Sequence, residues 1–272
     1  MRRSTAVRPA GTRTLPCADS CESHAPGVPT RRSRPTETCA MTVAIRALSF
    51  DLDDTLWNIW PCIERAEAKL HDWLLAGYPR IAAQFDALAL RRLCSDEAVR
   101  DPAIAHDRSL IRRRGLTRAA ELAGYAEFAL DEAFEVFFAA RNQVEFFADA
   151  LPVLERLAAR YPVVALSNGN ADLDRIGIAH LFAFHLSAAI VGTQKPHPAM
   201  FEQAVARLGL PPAAILHVGD NPEHDVEGAR AAGLRAVWVR RDGRDWPHGL
   251  APPEFVIHDL HELEALLATW PG

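Results

Sequence analysis

The sequence predicts an α/β protein with a doubly wound parallel sheet of the Rossmann-like type and an all-helical segment inserted after the first strand. From about residue 148 onward, short apolar segments rich in β-branched residues alternate with helical patterns, which is typical of buried parallel strands and the helices between them. The roughly ninety residues after the first strand have helical periodicity but little strand character. These two observations predict the fold class.

The predicted elements follow in order along the chain, with Gly and Pro residues marking the breaks between them. The predicted strands are residues 43–50, 161–167, 185–189, 214–218, 235–239 and 255–257. The predicted helices of the inserted segment are residues 60–75, 81–94, 108–122 and 127–147. The later predicted helices are residues 150–160, a helix from about 171, and residues 199–208, 222–232 and 259–268.

These patterns divide the chain into a Rossmann-like core, residues 41–57 and 148–272, and an all-helical unit, residues 58–147. Residues 1–40 are rich in Arg, Pro, Ser and Thr and lack apolar periodicity, so we expect a disordered leader. An upstream start with Met41 as the true first residue is an alternative. A transit peptide is a second alternative if the source is eukaryotic. Arg2 and Arg3 suggest a twin-arginine signal, but the apolar segment that such a signal requires does not follow them.

Composition narrows the class of protein and its partners. The chain has 272 residues, of which 49% are hydrophobic and 24% charged, with a net charge of −5. This gives no basic surface for nucleic acid, and no apolar run is long enough for a membrane span. The five cysteines form no CxxC pair, which favours free thiols in a reducing, cytoplasmic location.

Three carboxylates, Asp51, Asp53 and Asp54, follow the first strand directly. Strand ends of open α/β sheets are where such proteins bind ligands. Clustered carboxylates resist ionising together unless a cation or hydrogen bonds offset their repulsion. The segment therefore predicts a metal site, with a solvated acidic turn as the alternative.

Further strand ends supply complementary polar groups. Ser167 and Asn168 follow one predicted strand, Lys195 lies before the helix 199–208, and Asp220 follows another strand with Asp225 five residues later. Each of these alone is more often a turn, a solvated lysine or a helix cap. Because parallel strands end at one edge of the sheet, we expect them to converge. A nucleophile, hydroxyl and amide donors, a cation and metal-binding acids are the groups that phosphoryl transfer needs.

Four segments resemble, in order, the motifs of the haloacid dehalogenase-like hydrolase superfamily, and the resemblance covers roughly residues 44–268. They are Asp51-Leu52-Asp53-Asp54-Thr55-Leu56, Ser167-Asn168, Lys195-Pro196 and Gly219-Asp220-Asn221-Pro222-Glu223-His224-Asp225.

The resemblance implies a role for each motif residue. Asp51 would be the nucleophile that forms an aspartyl-phosphate. Asp53 would protonate the leaving oxygen and later help to deprotonate the attacking water. Ser167 and the backbone N–H of Asn168 would bind phosphoryl oxygens, and Lys195 would neutralise their charge.

The resemblance also implies a Mg²⁺ cofactor. The candidate metal residues are Asp51, Asp53 through its backbone carbonyl, Asp220 and Asp225. Asp225 is either a metal-site carboxylate or an anchor for the motif lysine, and both alternatives are open at this stage. Asp54 would have a structural task in the turn.

The family's dehalogenase branch has no acid two residues after the nucleophile, so Asp53 points to phosphate esters. A helical cap leaves room for a small phosphorylated metabolite. Residues 51–61, 167–170, 215–220 and 225–229 are similar to bacterial flavin mononucleotide (FMN) phosphatases, which also act on 5-amino-6-(5-phospho-D-ribitylamino)uracil. Trp57 and Trp60 are expected either to stack on such a ring or to pack between cap and core.

Other functions remain as alternatives. Within the family they are a phosphatase for a nucleotide, a sugar phosphate or phosphoglycolate, and a phosphomutase. Outside it they are a receiver-type signalling module, whose chain is much shorter, and a phosphate-binding protein without catalysis.

Overall fold

A computed structural model of the chain describes residues 43–270, so the leader predicted at residues 1–40 lies outside the described residues. Six parallel strands form one sheet in the order β3-β2-β1-β4-β5-β6. The strands are β1 (Ala47–Phe50), β2 (Val163–Ser167), β3 (Phe184–Ser187), β4 (Ile215–Gly219), β5 (Arg235–Val239) and β6 (Phe255–Ile257). The prediction of an α/β fold with a parallel, Rossmann-like sheet is confirmed.

The central strands are buried on both faces, which explains their continuous apolar sequences. Leu48 and Phe50 of β1 pack in a cluster with α6 (Ala150–Ala158) and α11 (Leu260–Ala268), whereas Ala47 packs in a second cluster with α9 (Ala199–Leu208). The chain winds outward from β1 through β2 and β3 and then returns to pair β4 with the other edge of β1. The strand order therefore reverses beside β1, and this is where open α/β sheets bind ligands.

The first five α-helices after β1 are called the helical insertion below: α1 (Ile59–Gly77), α2 (Pro79–Gln84), α3 (Ala87–Arg100), α4 (Arg108–Leu122) and α5 (Leu130–Arg141). They share an apolar cluster of their own, which includes Leu70, Leu74 and Leu116. The later helices are α6 (Ala150–Ala158), α7 (Leu173–Ile176), α8 (Ala188–Val191), α9 (Ala199–Leu208), α10 (Gly228–Ala231) and α11 (Leu260–Ala268). Among the described helices, none combines the length and apolar character that a bilayer span requires.

Two predicted helices of the insertion have different limits. The helix predicted at residues 81–94 is divided between α2 and α3, because Asp86 accepts a hydrogen bond from the backbone N of Ala89 (2.7 Å) and starts a new helix. The helix predicted at residues 127–147 ends at Arg141. Beyond it, the backbone N of Phe147 donates to the carbonyl of Leu56 (3.0 Å), so this segment joins the turn after β1 instead of continuing the helix.

Smaller differences occur at other element ends. The strand predicted at 185–189 ends at Ser187, whose Oγ accepts from the backbone N of Ile190 (3.3 Å) and caps α8. The helix predicted at 222–232 begins with a π-type turn, Pro222–Glu227, before α10. In both places a side-chain oxygen, from Ser187 or Asn221, satisfies the first free backbone N–H groups of the turn.

Candidate active site

Lys195 connects three strand ends at the edge of the sheet. Its buried ammonium group donates to Oδ1 of Asp51 (2.7 Å), Oδ1 of Asp225 (2.6 Å) and the carbonyl oxygen of Leu166 (2.7 Å). The Lys195 side chain is only 1% exposed, and these three acceptors match the three N–H bonds of an ammonium group. The lysine is therefore fixed beside Asp51 rather than free in solvent.

Asp51, Asp220 and Asp225 form a carboxylate cluster. One oxygen from each lies within 4.8 Å of the others, and among residues 43–270 this is the group of acidic, His or Cys side chains that is close enough to share a metal ion. Oγ1 of Thr55 lies 3.3 Å from Oδ2 of Asp51 and 3.5 Å from Oδ1 of Asp220. Nη2 of Arg244 donates to Oδ2 of Asp220 (3.0 Å). The donor set is hard oxygen, which suits Mg²⁺.

Burial and mutual repulsion dominate the electrostatics of this cluster. Burial raises the pKa of Asp51 to about 7, although Lys195 opposes the rise. Burial, together with the charges of Asp51 and Asp225, raises the pKa of Asp220 to about 8. Burial acts to raise the pKa of Asp225 as well, but Lys195 and His217 outweigh it and hold that pKa below its usual range. The charged forms of Asp51 and Asp220 are therefore unfavourable in this cluster, and a nearby cation would stabilise them.

Asp225 uses both of its oxygens within the protein. Besides Lys195, Oδ1 lies 3.2 Å from Nε2 of His217, and Oδ2 accepts from the backbone N of Asn221 (2.9 Å). Nδ1 of His217 in turn lies 2.9 Å from Oγ of Ser49, and both side chains are buried. A buried polar chain thus runs from β1 through β4 to the lysine.

Asp53 is held by groups from two parts of the fold. Its Oδ1 accepts from Nε1 of Trp57 (2.8 Å), and both oxygens accept from Nη2 of Arg141 (2.8 and 2.7 Å). Arg141 is the last residue of α5, its side chain is 1% exposed, and its Nε donates to Oδ1 of Asn170 (3.1 Å). A Cβ atom on Gly169 would overlap the Asp53 carboxylate. The glycine is needed at this close approach.

The predicted phosphate-binding residues lie beside Lys195. Ser167 ends β2, is buried, and its Oγ accepts from the backbone N of Gly169 (2.9 Å). The Asn168 side chain accepts from the backbone N of Lys195 (2.7 Å) and donates to its carbonyl (2.9 Å). Asp54 has a positive φ of 64°, and its Oδ1 accepts from the backbone N of Ile59 (3.1 Å). These contacts fit the structural task predicted for Asp54 in the turn.

Two adjoining cavities meet at this site. One of about 240 Å³ is lined by Asp51, Ser167, Lys195 and Asp220, among others. The other, of about 470 Å³, extends between the helical insertion and the sheet edge. Asp53, Arg108 and Gly169 line both cavities. A reacting group in the small cavity would therefore have room for its remainder in the large one.

The two tryptophans have different environments. Trp57 is fully buried and packs edge to face on Phe146, with ring centroids 5.5 Å apart. Trp60 is 53% exposed and lines the large cavity. Trp57 therefore packs within the protein, whereas Trp60 is available to contact a ligand.

Sequence reasoning missed several residues of the site. Arg141 ends an apolar helical run, and His217 interrupts an apolar strand. A single polar residue within a buried apolar element is a signal that could have identified both of them. The pairing of Arg244 with Asp220 has no comparable sequence signal, because Arg244 lies in an irregular segment.

The sequence matches the haloacid dehalogenase-like hydrolase family over residues 45–233. The chain belongs to this family and is an enzyme of the hydrolase class. It is 33% identical over 231 residues to the 5-amino-6-(5-phospho-D-ribitylamino)uracil phosphatase YigB of Escherichia coli K12, covering 82% of this chain and 96% of YigB. It is 38% identical over 159 residues to the phosphoserine phosphatase of Thermus thermophilus, covering 56% of this chain and 63% of that protein.

A solved structure is also similar. The crystal structure titled 2-haloacid dehalogenase from Pseudomonas syringae pv. Tomato DC3000 superposes with a TM-score of 0.77 at 41% identity. The similarity covers 83% of this chain and 99% of that chain. The chain is therefore similar both to proteins named as phosphatases and to a structure named as a dehalogenase.

Proposed function

We propose that the protein is a Mg²⁺-dependent phosphatase of small phosphate monoesters that acts through a phosphorylated Asp51. The main support is Asp53, an acid two residues after the proposed nucleophile and at the same sheet edge as Lys195 and Asp220. An alkoxide leaving group needs a proton, and Asp53 is the acid at hand to supply it. The phosphatase relatives support the same conclusion.

Asp51 and Asp220 are the proposed side-chain ligands for Mg²⁺, with the backbone carbonyl of Asp53. Their raised pKa values fit this role, because a cation stabilises their charged forms. We assign Asp225 as the anchor of Lys195, since its oxygens already accept hydrogen bonds from the protein. When bound, Mg²⁺ would offset negative charge on the phosphoryl oxygens.

In the first step, the Asp51 carboxylate attacks phosphorus and the bond between phosphorus and the ester oxygen breaks. Asp53 gives its proton to the departing oxygen, and the alcohol leaves. Arg141 and Trp57 then stabilise the charge that Asp53 acquires, because both donate to its oxygens. Lys195 and Ser167 are the proposed partners of the phosphoryl oxygens.

In the second step, water attacks the phosphorus of the acyl phosphate. Asp53, now a carboxylate, takes a proton from that water. The bond between phosphorus and Asp51 breaks, which releases inorganic phosphate and restores both carboxyl groups to their starting forms. The same residue thus acts first as an acid and then as a base.

For the substrate we propose FMN or 5-amino-6-(5-phospho-D-ribitylamino)uracil, hydrolysed in the cytoplasm. The support is the similarity to YigB over 96% of its length. Trp60 and Phe137 in the cavity wall also give apolar surface for a planar ring. A small metabolite suits the cavity of about 470 Å³, which is within the usual range of small-molecule sites.

A second candidate is hydrolysis of a 2-haloacid, favoured by the 41% identity to the Pseudomonas syringae structure. A halide leaves as an anion and needs no proton. That reaction would give Asp53 no task, which is why we prefer the phosphatase.

The test compares release of phosphate with release of chloride from the same purified protein. The substrates are FMN, a nucleotide, a sugar phosphate, phosphoglycolate and 2-chloropropionate, each assayed with Mg²⁺ and with a chelator. We expect metal-dependent phosphate release, highest for FMN, that is abolished by Asp51→Asn. The control is Asp131→Asn, because the Asp131 side chain is 90% exposed on α5. Chloride release without phosphate release, or full activity of Asp51→Asn, would contradict the proposal.

A further inference from the structure

The large cavity has an apolar wall and an excess of positive charge. Its apolar lining includes Ile63, Ile111 and Phe137. The charged side chains that line it are Asp53, Glu67, Arg91, Arg108, Arg112 and Arg141. Four arginines against two acids leave two positive charges in excess, so an occupant with negative charge or acceptor oxygens is favoured.

Each acid already has an arginine partner. Asp53 pairs with Arg141, and Glu67, whose side chain is 4% exposed, accepts from Nε (3.0 Å) and Nη2 (2.5 Å) of Arg91. Arg112 is farther from Glu67, with Nη2 3.5 Å from Oε1. Glu67 is therefore already bound by Arg91 through two hydrogen bonds, and Arg112 is a second, more distant cation beside it.

Arg112 is fixed in place but not fully satisfied. Its guanidinium lies over the Phe137 ring, 4.0 Å from the centroid, and its side chain is 11% exposed. A stacked guanidinium still donates from its edge, so stacking leaves its N–H groups available. Nη1 of Arg112 is shielded from solvent and has no acceptor among residues 43–270, and the same is true of Nη1 of Arg141. A buried donor without an acceptor is unfavourable.

We infer that this cavity selects its substrates through Arg112, with Arg141, for leaving groups that combine a planar apolar part with a carbonyl or carboxylate oxygen. The inference rests on the proposed phosphatase activity and names the substrate class of that site. Arg112 lines the cavity with part of its side chain exposed, so an acceptor oxygen on the leaving group would bind its guanidinium while the ring lies against the apolar wall. A neutral polyol lacks the planar part, and an ammonium group would meet like charge.

The test uses two esters that differ in one acceptor group, phenyl phosphate and 3-carboxyphenyl phosphate. The quantity measured is the ratio of their kcat/KM values, which cancels effects common to both esters. We expect the wild-type protein to prefer the carboxylated ester. Arg112→Met should reduce that ratio by roughly 10- to 150-fold, which corresponds to about 1.5–3 kcal/mol for one hydrogen bond to a charged group.

Two further variants support the comparison. Arg113→Met is the matched control, because Arg113 is adjacent on α4 but pairs with Asp131 and does not line the cavity. Its ratio should equal that of the wild type. Arg112→Lys keeps the charge and is the second variant if Arg112→Met does not fold, as judged by circular dichroism. It should give an intermediate ratio, since a lysine lacks the guanidinium edge.

The outcomes separate the two proposals. Wild-type release of phosphate from phenyl phosphate with an unchanged ratio in both Arg112 variants would overturn the role of Arg112 and leave the phosphatase proposal intact. A wild-type preference for phenyl phosphate over the carboxylated ester would likewise overturn the role of Arg112 and leave the phosphatase proposal intact. No metal-dependent release from either ester would overturn both.

Discussion

Replacing Gly169 with alanine is expected to reduce kcat/KM strongly without unfolding the protein. An alanine Cβ would lie less than 3.0 Å from Oδ2 of Asp53, closer than real Cβ atoms approach their neighbours, and 3.2 Å from Oγ of Ser167. Gly169 does not have a positive φ, so alanine adds no backbone strain. The perturbation is therefore confined to one methyl group placed against the proposed acid.

The size of the effect follows from the contacts of Asp53. The carboxylate cannot rotate away freely, because Trp57 and Arg141 hold both oxygens. Relief of the overlap requires a displacement on the order of 1 Å, which typically costs about 100-fold in rate when a catalytic group is misplaced. The added volume should cost about 1–3 kcal/mol of stability, which lowers Tm by roughly 2–12 °C in a protein of this size.

The assay is steady-state phosphate release from phenyl phosphate with Mg²⁺, with thermal melting by circular dichroism in parallel. The control is Gly77→Ala, because a Cβ at Gly77 has no neighbour within 4 Å and Gly77 has no positive φ. We expect Gly77→Ala to keep the wild-type kcat/KM and to keep or slightly raise Tm, because Gly77 is the last residue of α1 and alanine favours a helix. A Gly169→Ala protein with the wild-type kcat/KM would refute the claim that Asp53 must stay where Arg141 holds it.

Two other predictions concern the carboxylates. Asp53→Asn should lower kcat/KM, which reports the first step, by about 10²- to 10⁴-fold for an alkyl phosphate but much less for p-nitrophenyl phosphate, since that leaving group needs no proton. An equal loss of kcat/KM for both esters would contradict an acid role. The metal-free protein should lose stability as pH rises from about 4 to 8. Burial raises the pKa of Asp51 to about 7 and that of Asp220 to about 8. The contribution of the two protonated carboxyl groups to folding stability is therefore complete below the ordinary pKa of 3.8 and is lost above the folded values. Mg²⁺ at a fixed concentration, ten times its Kd at about pH 8, should restore about 1.4 kcal/mol at that pH, roughly 3–6 °C in Tm. The same concentration should restore less at about pH 5.5, where protons compete for the carboxylates. Calorimetry of the wild type and of Asp220→Asn measures this, and an equal shift in the two proteins would argue against the metal site.

The strand-end rule explains how much of the site could be predicted from the sequence. Asp51, Lys195 and Asp220 come together because parallel strands deliver their following loops to one edge of the sheet, and the positions of those strands along the chain follow from alternating local patterns. The contact between Asp53 and Arg141 joins residues 88 positions apart. It depends on how the helical insertion packs on the sheet, and no local pattern encodes that packing. For the same reason, the pairing of Glu67 with Arg91 and Arg112 appears in no motif.

Because of two contacts of Arg141, evolutionary changes in substrate preference are linked to changes in the position of Asp53. Arg141 lines the large cavity and also donates to the Asp53 carboxylate, the proposed proton donor. A mutation that reshapes this part of the wall to admit a new ester is therefore expected to move Asp53 as well. Descendants of this enzyme are expected to broaden their substrate range through α3 and α4, where such changes leave Asp53 in place, before they alter the end of α5.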